Sequence, residues 1–282
     1  TSQEMWFNII EKLRKNNDDR EIEILYTDLA SNDFSTLFKK MQGMQGSSKF
    51  AFQLKHPNVF VHGCGTGFHK RIMSKNSLSI GFSATAMHYV SEKPCQIDNH
   101  VHMVGANETE KNKFKMQAQN DWESILLRRS EELTKGGKFI CLNFGIDEKG
   151  RFLGNTGGHS MFDKFTFHWK NLENKGIISN DEFKLATFAQ HYRTLSEFTN
   201  PLNDKNSAVY KSGLRLVSST TKLTVCPYKL NYQKNKITKA EFASNLIGTM
   251  RSWSETVFRT ALKNRNDDQI DTIVNQFYKN YE

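Results

Sequence analysis

The chain has no apolar run of about 18 residues, so no segment reads as a membrane-spanning helix. It has only four cysteines, Cys64, Cys95, Cys141 and Cys226, scattered without metal-ligand spacing. That pattern excludes a zinc ribbon, argues against a disulfide framework and suits free thiols in the cytoplasm. No internal repeat or low-complexity tract is present. The segment GCGTG at 63–67 lacks the serine of a G-x-S-x-G nucleophile elbow, which removes the usual signal for acyl transfer. His100 and His102 alternate on what reads as a strand, but two histidines without a third ligand do not make a metal site. Asn107-Glu108-Thr109 matches a glycosylation sequon, and nothing else points to secretion. The net charge is +9, yet the lysines are dispersed among asparagines and acids. Without a gathered basic face, nucleic acid is not the expected partner, and the same field would favour small anions.

What is present is enough for a full core. The chain has 282 residues, 37% hydrophobic and 12% aromatic, which favours one elaborated domain over two independent ones. Residues 1–13 form an amphipathic helix pattern with Thr1 or Ser2 as N-cap. A short strand around residues 22–26 ends at Asp28, a second covers 58–63, and a third covers 78–83. The segment 84–94 then reads as helix up to Pro94. Over residues 120–145, helical spacing of Trp122, Ile125, Leu126 and Leu133 leads to Gly136-Gly137, which should stop the helix. The apolar run 139–144 then reads as a strand buried on both faces. This alternation predicts an α/β fold with a parallel sheet covered by helices.

Open sheets of that kind bind ligands at the carboxyl ends of their strands. Asp28, the loop 63–68 and residues 83–89, Ser83 included, should therefore lie along one rim. An acid at the end of a strand can accept hydrogen bonds from ribose hydroxyls, which makes Asp28 the ribose candidate; a simple turn cap is the competing reading. Past residue 145, a Gly-rich turn at 154–160 leads into aromatic-rich helical patterns, a strand-like return at 214–226 and helices over about 239–263 and 267–281. The aromatic insertion reads as a helical lid, most of whose rings should be ordinary core.

Several segments together resemble the SABATH family of S-adenosylmethionine-dependent carboxyl methyltransferases. TDLASNDFSTLF at 27–38 is similar to the family's N-D-L-P-x-N-D-F-N-x-L-F. GFHKRIMSKNSLSIGFSATAMHYVSEKP at 67–94 is similar to S-F-Y-x-R-L-F-P-x-x-S-L followed by S-S-x-x-L-H-W-L-S-x-x-P. The glycine pair at 136–137, AQHYRTLSEF at 189–198, GLRLVSSTTKLTVCPY at 213–228 and MRSWSETVF at 250–258 continue the likeness across nearly the whole chain.

The resemblance implies a class I, Rossmann-like methyltransferase sheet with a helical lid. It implies a cosubstrate core over 1–158, a lid over 159–212 and a return strand with further lid and core helices over 213–282. It puts Asp28 and Leu29 on the ribose and adenine side of S-adenosylmethionine, and Gly67 and Phe68 on the family's Ser-Phe pair flanking adenine, with Ser83 on the same rim. His88 and Tyr89 fall on the pair that begins the acceptor pocket, with Tyr89 in the position of a carboxylate-binding Trp. Lys184 stands where plant members carry a metal-contacting Asn, so no metal is expected. The family's Gly-rich first motif is expected directly upstream of Thr1, and its last strand after Glu282. The implied reaction is methyl-ester formation on a small organic acid, and a homodimer is the family's habit. N-methylation of a heterocycle and a noncatalytic binding role stay open beside it.

Overall fold

The computed structural model describes residues 2–46, 51–155 and 160–282, and its contacts divide the chain into two units. The first comprises residues up to Ala84 together with Ser124–Cys141; the second comprises Thr85–Glu123 and Leu142–Glu282. Among the described residues no helix is long and apolar enough to cross a membrane.

The first unit begins with helix α1 (Ser2–Lys15), strand β1 (Ile22–Thr27), helices α2 (Phe34–Met41) and α3 (Phe52–Lys55), and strands β2 (Val59–Cys64) and β3 (Leu78–Ala84). The cap predicted at Thr1 lies outside the described residues. β1 and β2 are parallel, with Ile22 opposite Val59 and Thr27 opposite Cys64. Ile10, Ile24, Met41, Phe52 and Val59 form their buried core. The C-terminal part of helix α4 (Glu108–Glu132) and strand β4 (Leu133–Leu142) complete the unit. Ser77 donates its N–H to the Glu132 carbonyl before β3, and Thr85 donates to Leu142 after it, so β3 and β4 run in the same direction. This is a Rossmann-like α/β arrangement of parallel strand pairs with helices.

Helix α4 carries one continuous buried stripe: Phe114, Ala118, Trp122, Ile125, Leu126, Arg129 and Glu132. Steps of three and four residues put all seven on one face. The helix ends at Glu132, earlier than the glycine pair predicts, because the Glu131 and Glu132 carbonyls accept from Asn76 and Ser77. The glycines serve the strand instead. Gly136 has φ +81, and a Cβ on Gly137 would lie 2.9 Å from the Leu78 carbonyl oxygen. The expected burial of β4 on both faces is also corrected: Ile140 and Leu142 are exposed while their neighbours Phe139 and Cys141 are half-buried, so one face alone is covered.

The second unit holds the start of α4, strand β5 (Gly145–Ile146), helices α5 (Met161–Asn174) and α6 (Asn180–Leu185), strand β6 (Arg193–Thr194), and helices α7 (Leu195–Asn203), α8 (Ala208–Lys211), α9 (Pro227–Gln233), α10 (Lys239–Ala261) and α11 (Asp267–Tyr281). Its core is aromatic, with Phe162, Phe165, Trp169, Phe188, Phe258 and Phe277 fully buried. The rings of the aromatic insertion are thus chiefly core. Residues 156–159 of the Gly-rich turn lie outside the described residues.

Three further expectations are corrected here. Residues 85–90 form a turn rather than a helix, because outside groups claim the backbone: Met87 N–H donates to Asn143 Oδ1, Val90 N–H to the Ala189 carbonyl, and Ser91 N–H to Asp121 Oδ2. His100 and His102 are not on a strand; His102 caps a short 3-10 turn at Met103–Gly105. Residues 214–226 form no strand, since no ladder partner lies beside them among the described residues, and Val217, Leu223 and Val225 stay exposed.

Candidate functional site

In the first unit, the carboxyl ends of β1 and β2 bring two loops together. Asp28 N–H donates to the Cys64 carbonyl at 3.2 Å, extending the parallel ladder by one step. The Asp28 carboxylate is exposed; Oδ1 accepts from Leu29 N–H at 2.7 Å and Oδ2 from Asn32 Nδ2 at 2.9 Å. The turn cap is therefore real. Each carboxylate oxygen has two lone pairs, so one acceptor site per oxygen still faces outward, which fits a vicinal diol. Leu29 is 61% exposed, and a Cβ on Gly67 would lie 3.4 Å from its Cδ2. Gly65 approaches as closely: a Cβ there would meet Ala30 Cα at 3.2 Å. Phe68 follows, half-buried, its ring 4.4 Å from that of His69. Asp28, Leu29, Gly67 and Phe68 are thus gathered on two adjoining loops, while Ser83 lies half-buried in β3, in the other strand pair.

A buried ion pair that sequence reasoning missed pins the second loop. Arg129 makes paired hydrogen bonds to Glu132, 2.6 and 2.8 Å, and both side chains are buried. The guanidinium also donates to the Phe68 and Lys70 carbonyls, at 3.0 and 2.8 Å. Glu132 accepts the N–H groups of Ile72 and Met73. The signal was available: two opposite charges three residues apart on the apolar stripe of α4.

The second unit holds His88 and Tyr89 in the turn after Thr85, whose φ of +54 is an uncommon and strained conformation for a β-branched residue. Tyr89 forms an antiparallel bridge with Gln190, and His191 N–H donates to the His88 carbonyl at 2.8 Å. Arg193, buried, ties the turn to α4 through the carbonyls of Met87 and Ala118, both at 2.5 Å, and lies over the rings of Trp122 and Phe198. Sequence reasoning missed Arg193 too.

Around this turn stand the rings of Tyr192, 5.7 Å from His88, and Phe144, 5.3 Å from it. Burial, reinforced by the Arg193 charge, lowers the His88 pKa to about 4, so at neutral pH the ring is uncharged. Burial raises the Tyr89 phenol above its ordinary value, an effect the Gln190 side chain opposes. Tyr192 is pushed further up, again by burial first and then by Tyr89. These three rings are therefore uncharged at pH 7: they can offer hydrogen bonds to an anion, but His88 does not offer a cation. Lys184 is paired with Asp98 at 3.0 Å, and among the described residues no three His, Cys, Asp or Glu side chains cluster as a metal site requires.

Known proteins give this geometry a context. The chain is 26% identical over 188 residues to a farnesoic acid carboxyl-O-methyltransferase of Arabidopsis thaliana, covering 63% of this chain and 50% of that protein. It is 22% identical to a loganic acid O-methyltransferase of Catharanthus roseus, covering 63% and 47%. It is 30% identical over 200 residues to a probable 7-methylxanthine methyltransferase of Theobroma cacao, covering 67% and 52%. The chain thus spans about half the length of these curated relatives. A solved structure of a loganic acid methyltransferase with SAH shares the fold, with a TM-score of 0.67 at 18% identity over 93% of this chain and 69% of that one. The profile of the family described as SAM dependent carboxyl methyltransferase matches residues 4–282. Matched by that profile over nearly its whole length, the chain belongs to that family of S-adenosylmethionine-dependent carboxyl methyltransferases.

Proposed function

We propose that the full protein transfers the methyl group of S-adenosylmethionine to the carboxylate of a small organic acid. The observation that carries this reading is the meeting of Asp28-Leu29 with Gly67 at the ends of two parallel strands, where an acid, an exposed apolar side chain and an open backbone stand together. In this reading the Asp28 carboxylate accepts from both ribose hydroxyls, Leu29 and Phe68 flank the adenine, the Gly67 backbone lies along it, and Ser83 belongs to the same side. His88 and Tyr89 orient the acceptor.

The chemistry asks for little more than positioning. A carboxylate with a pKa near ~4 is ionised at pH 7, so no general base is needed, and the neutral His88 is consistent with that. What remains is to hold the oxygen in line with the departing sulfur and to exclude water, which can contribute on the order of 7–11 kcal/mol. The Tyr89 phenol, kept protonated by burial, supplies a donor to the carboxylate. A cytoplasmic location and a homodimer complete the proposal; the former is supported by four free cysteines.

Similarity to a protein named for 7-methylxanthine favours one second reading, N-methylation of a heterocycle. Incubating the full protein with methyl-labelled S-adenosylmethionine and a panel of small acids and purines separates the two. Label released by mild base marks an ester, and stable label on a purine marks the second reading. Absence of label in every product, together with no binding of the cosubstrate, would remove both.

A further inference from the structure

Counted by segment, the positive charge of the chain is concentrated rather than dispersed. Residues 205–240 hold eight Lys and Arg and no Asp or Glu, which is eight of the nine net charges of the whole chain. All eight are exposed, and among the described residues none of them makes an ion pair. Acids at the border of the segment are engaged otherwise: Glu148 accepts from Thr221 Oγ1 at 2.9 Å, and Glu241 closes the capping box with Thr238. Like charges gathered without counter-charges repel one another, so the fold retains here a field that it does not itself neutralise.

The same segment holds aliphatic side chains in water. Val217, Leu223 and Val225 are 78%, 50% and 55% exposed, in a stretch without helix or strand, and Leu230 of α9 is 38% exposed. Tyr228 and Tyr232, four residues apart, face α10: the Tyr228 hydroxyl is hydrogen-bonded to Thr249 Oγ1 at 2.9 Å, and the Tyr232 ring is stacked on Phe242 at 5.5 Å. Leu230, between them, is turned outward beside Lys229. Positive charge and exposed aliphatic surface thus alternate along one short run. A single-stranded nucleic acid would answer the charge, but it needs open aromatic faces on which bases stack. Here Tyr232 lies against Phe242, and Tyr210 lies under the Arg215 guanidinium at 3.5 Å. An anionic lipid leaflet answers both features, with negative headgroups for the lysines and an apolar layer just beneath for the aliphatic side chains.

We propose that the surface over residues 215–236 docks on an anionic lipid membrane, its lysines on the headgroups and Val217, Leu223 and Val225 at the apolar boundary. This is attachment to a surface rather than a span, and it does not depend on the methyl-transfer reading. Flotation of the full protein with vesicles of phosphatidylcholine, alone or mixed with phosphatidylserine, measures it. Binding is expected to the mixed vesicles only, and it should weaken as salt rises. Each lysine close to such a leaflet tightens binding about 5-fold, so Lys229→Gln, Lys234→Gln and Lys236→Gln together should weaken it on the order of 100-fold. The same change at Lys12, Lys39 and Lys40, exposed in the first unit, removes as much charge and should have little effect. Val217→Ser, Leu223→Ser and Val225→Ser together should weaken binding at least about 10-fold while its salt dependence remains. No binding to the mixed vesicles, equal binding to phosphatidylcholine alone, or an equal loss from the two lysine triples would overturn the proposal. So would a serine triple that binds as the wild type does. Binding of a single-stranded oligonucleotide where the vesicles are not bound would overturn it in favour of nucleic acid.

Discussion

Asp28 holds its turn through hydrogen bonds from Leu29 N–H and Asn32 Nδ2. The proposed function gives its outward lone pairs a second role, toward the cosubstrate. Asp28→Asn keeps an oxygen for the turn but loses the charge, whereas Asp28→Ala loses both. If the outward lone pairs hold the ribose diol, Asp28→Ala should weaken binding of S-adenosylhomocysteine by roughly 1.5–3 kcal/mol, the scale of charge-assisted hydrogen bonds. Calorimetry that finds the affinity unchanged would leave Asp28 a turn residue only. On the acceptor side, Tyr89→Phe keeps the ring and removes the donor. It should lower kcat/KM for a validated acid by about 10-fold to 100-fold with little change in cosubstrate affinity, and equal activity would put the carboxylate elsewhere.

Among the elements, local signals were legible where the chain itself supplies the partner, and lost where distant groups do. Ser179/Glu182, Thr194/Glu197 and Thr238/Glu241 form reciprocal capping boxes, and Asn107/Glu110 makes the same exchange at the start of α4. All four are the residue spacing of a capping box, so these helix starts could be read directly; the sequon asparagine is one of the caps. The turn at 85–90 could not, because Asn143, Ala189 and Asp121 override a good helical pattern. The same contrast holds around the proposed site: Asp28 and the loop at 63–68 could be placed from strand ends and Leu29, Gly67 and Phe68 were singled out by the family resemblance, while Arg129 and Arg193 act through partners that only folding brings near. Arg129→Met tests that role. It strands the buried Glu132 carboxylate and frees the Phe68 and Lys70 carbonyls, so urea unfolding should show a loss of about 3–5 kcal/mol, and a loss under 1 kcal/mol would mean the pair is dispensable.

At the scale of the whole molecule, stability should depend on pH in two separate windows, both in the same direction. His88, with a folded pKa of about 4, and His102, held well below its ordinary value, are buried as neutral rings. Between about pH 6.5 and 4 the unfolded chain binds these protons and the folded chain does not, so stability falls as pH falls, by up to about 1.4 kcal/mol per pH unit for each ring. Carboxylates follow at lower pH. Burial would raise Glu197, but the hydrogen bonds from His191 and the Thr194 backbone outweigh it and hold the pKa at about 2. Glu182 and Glu255 are lowered first by hydrogen bonds from Arg265 and Arg251. Their contribution is full above about pH 4.5 and is lost as pH falls through their folded values. The thermal midpoint is therefore expected to decline already from pH 6.5, before any carboxylate titrates. His88→Phe, which removes one of the rings held neutral by burial, should flatten the decline between pH 6.5 and 4.5 without altering it below pH 4. A wild-type midpoint that stays level down to pH 4.5 would mean that the two rings gain protons without unfolding, and that the wall beside Tyr192 is more open to water than its burial indicates.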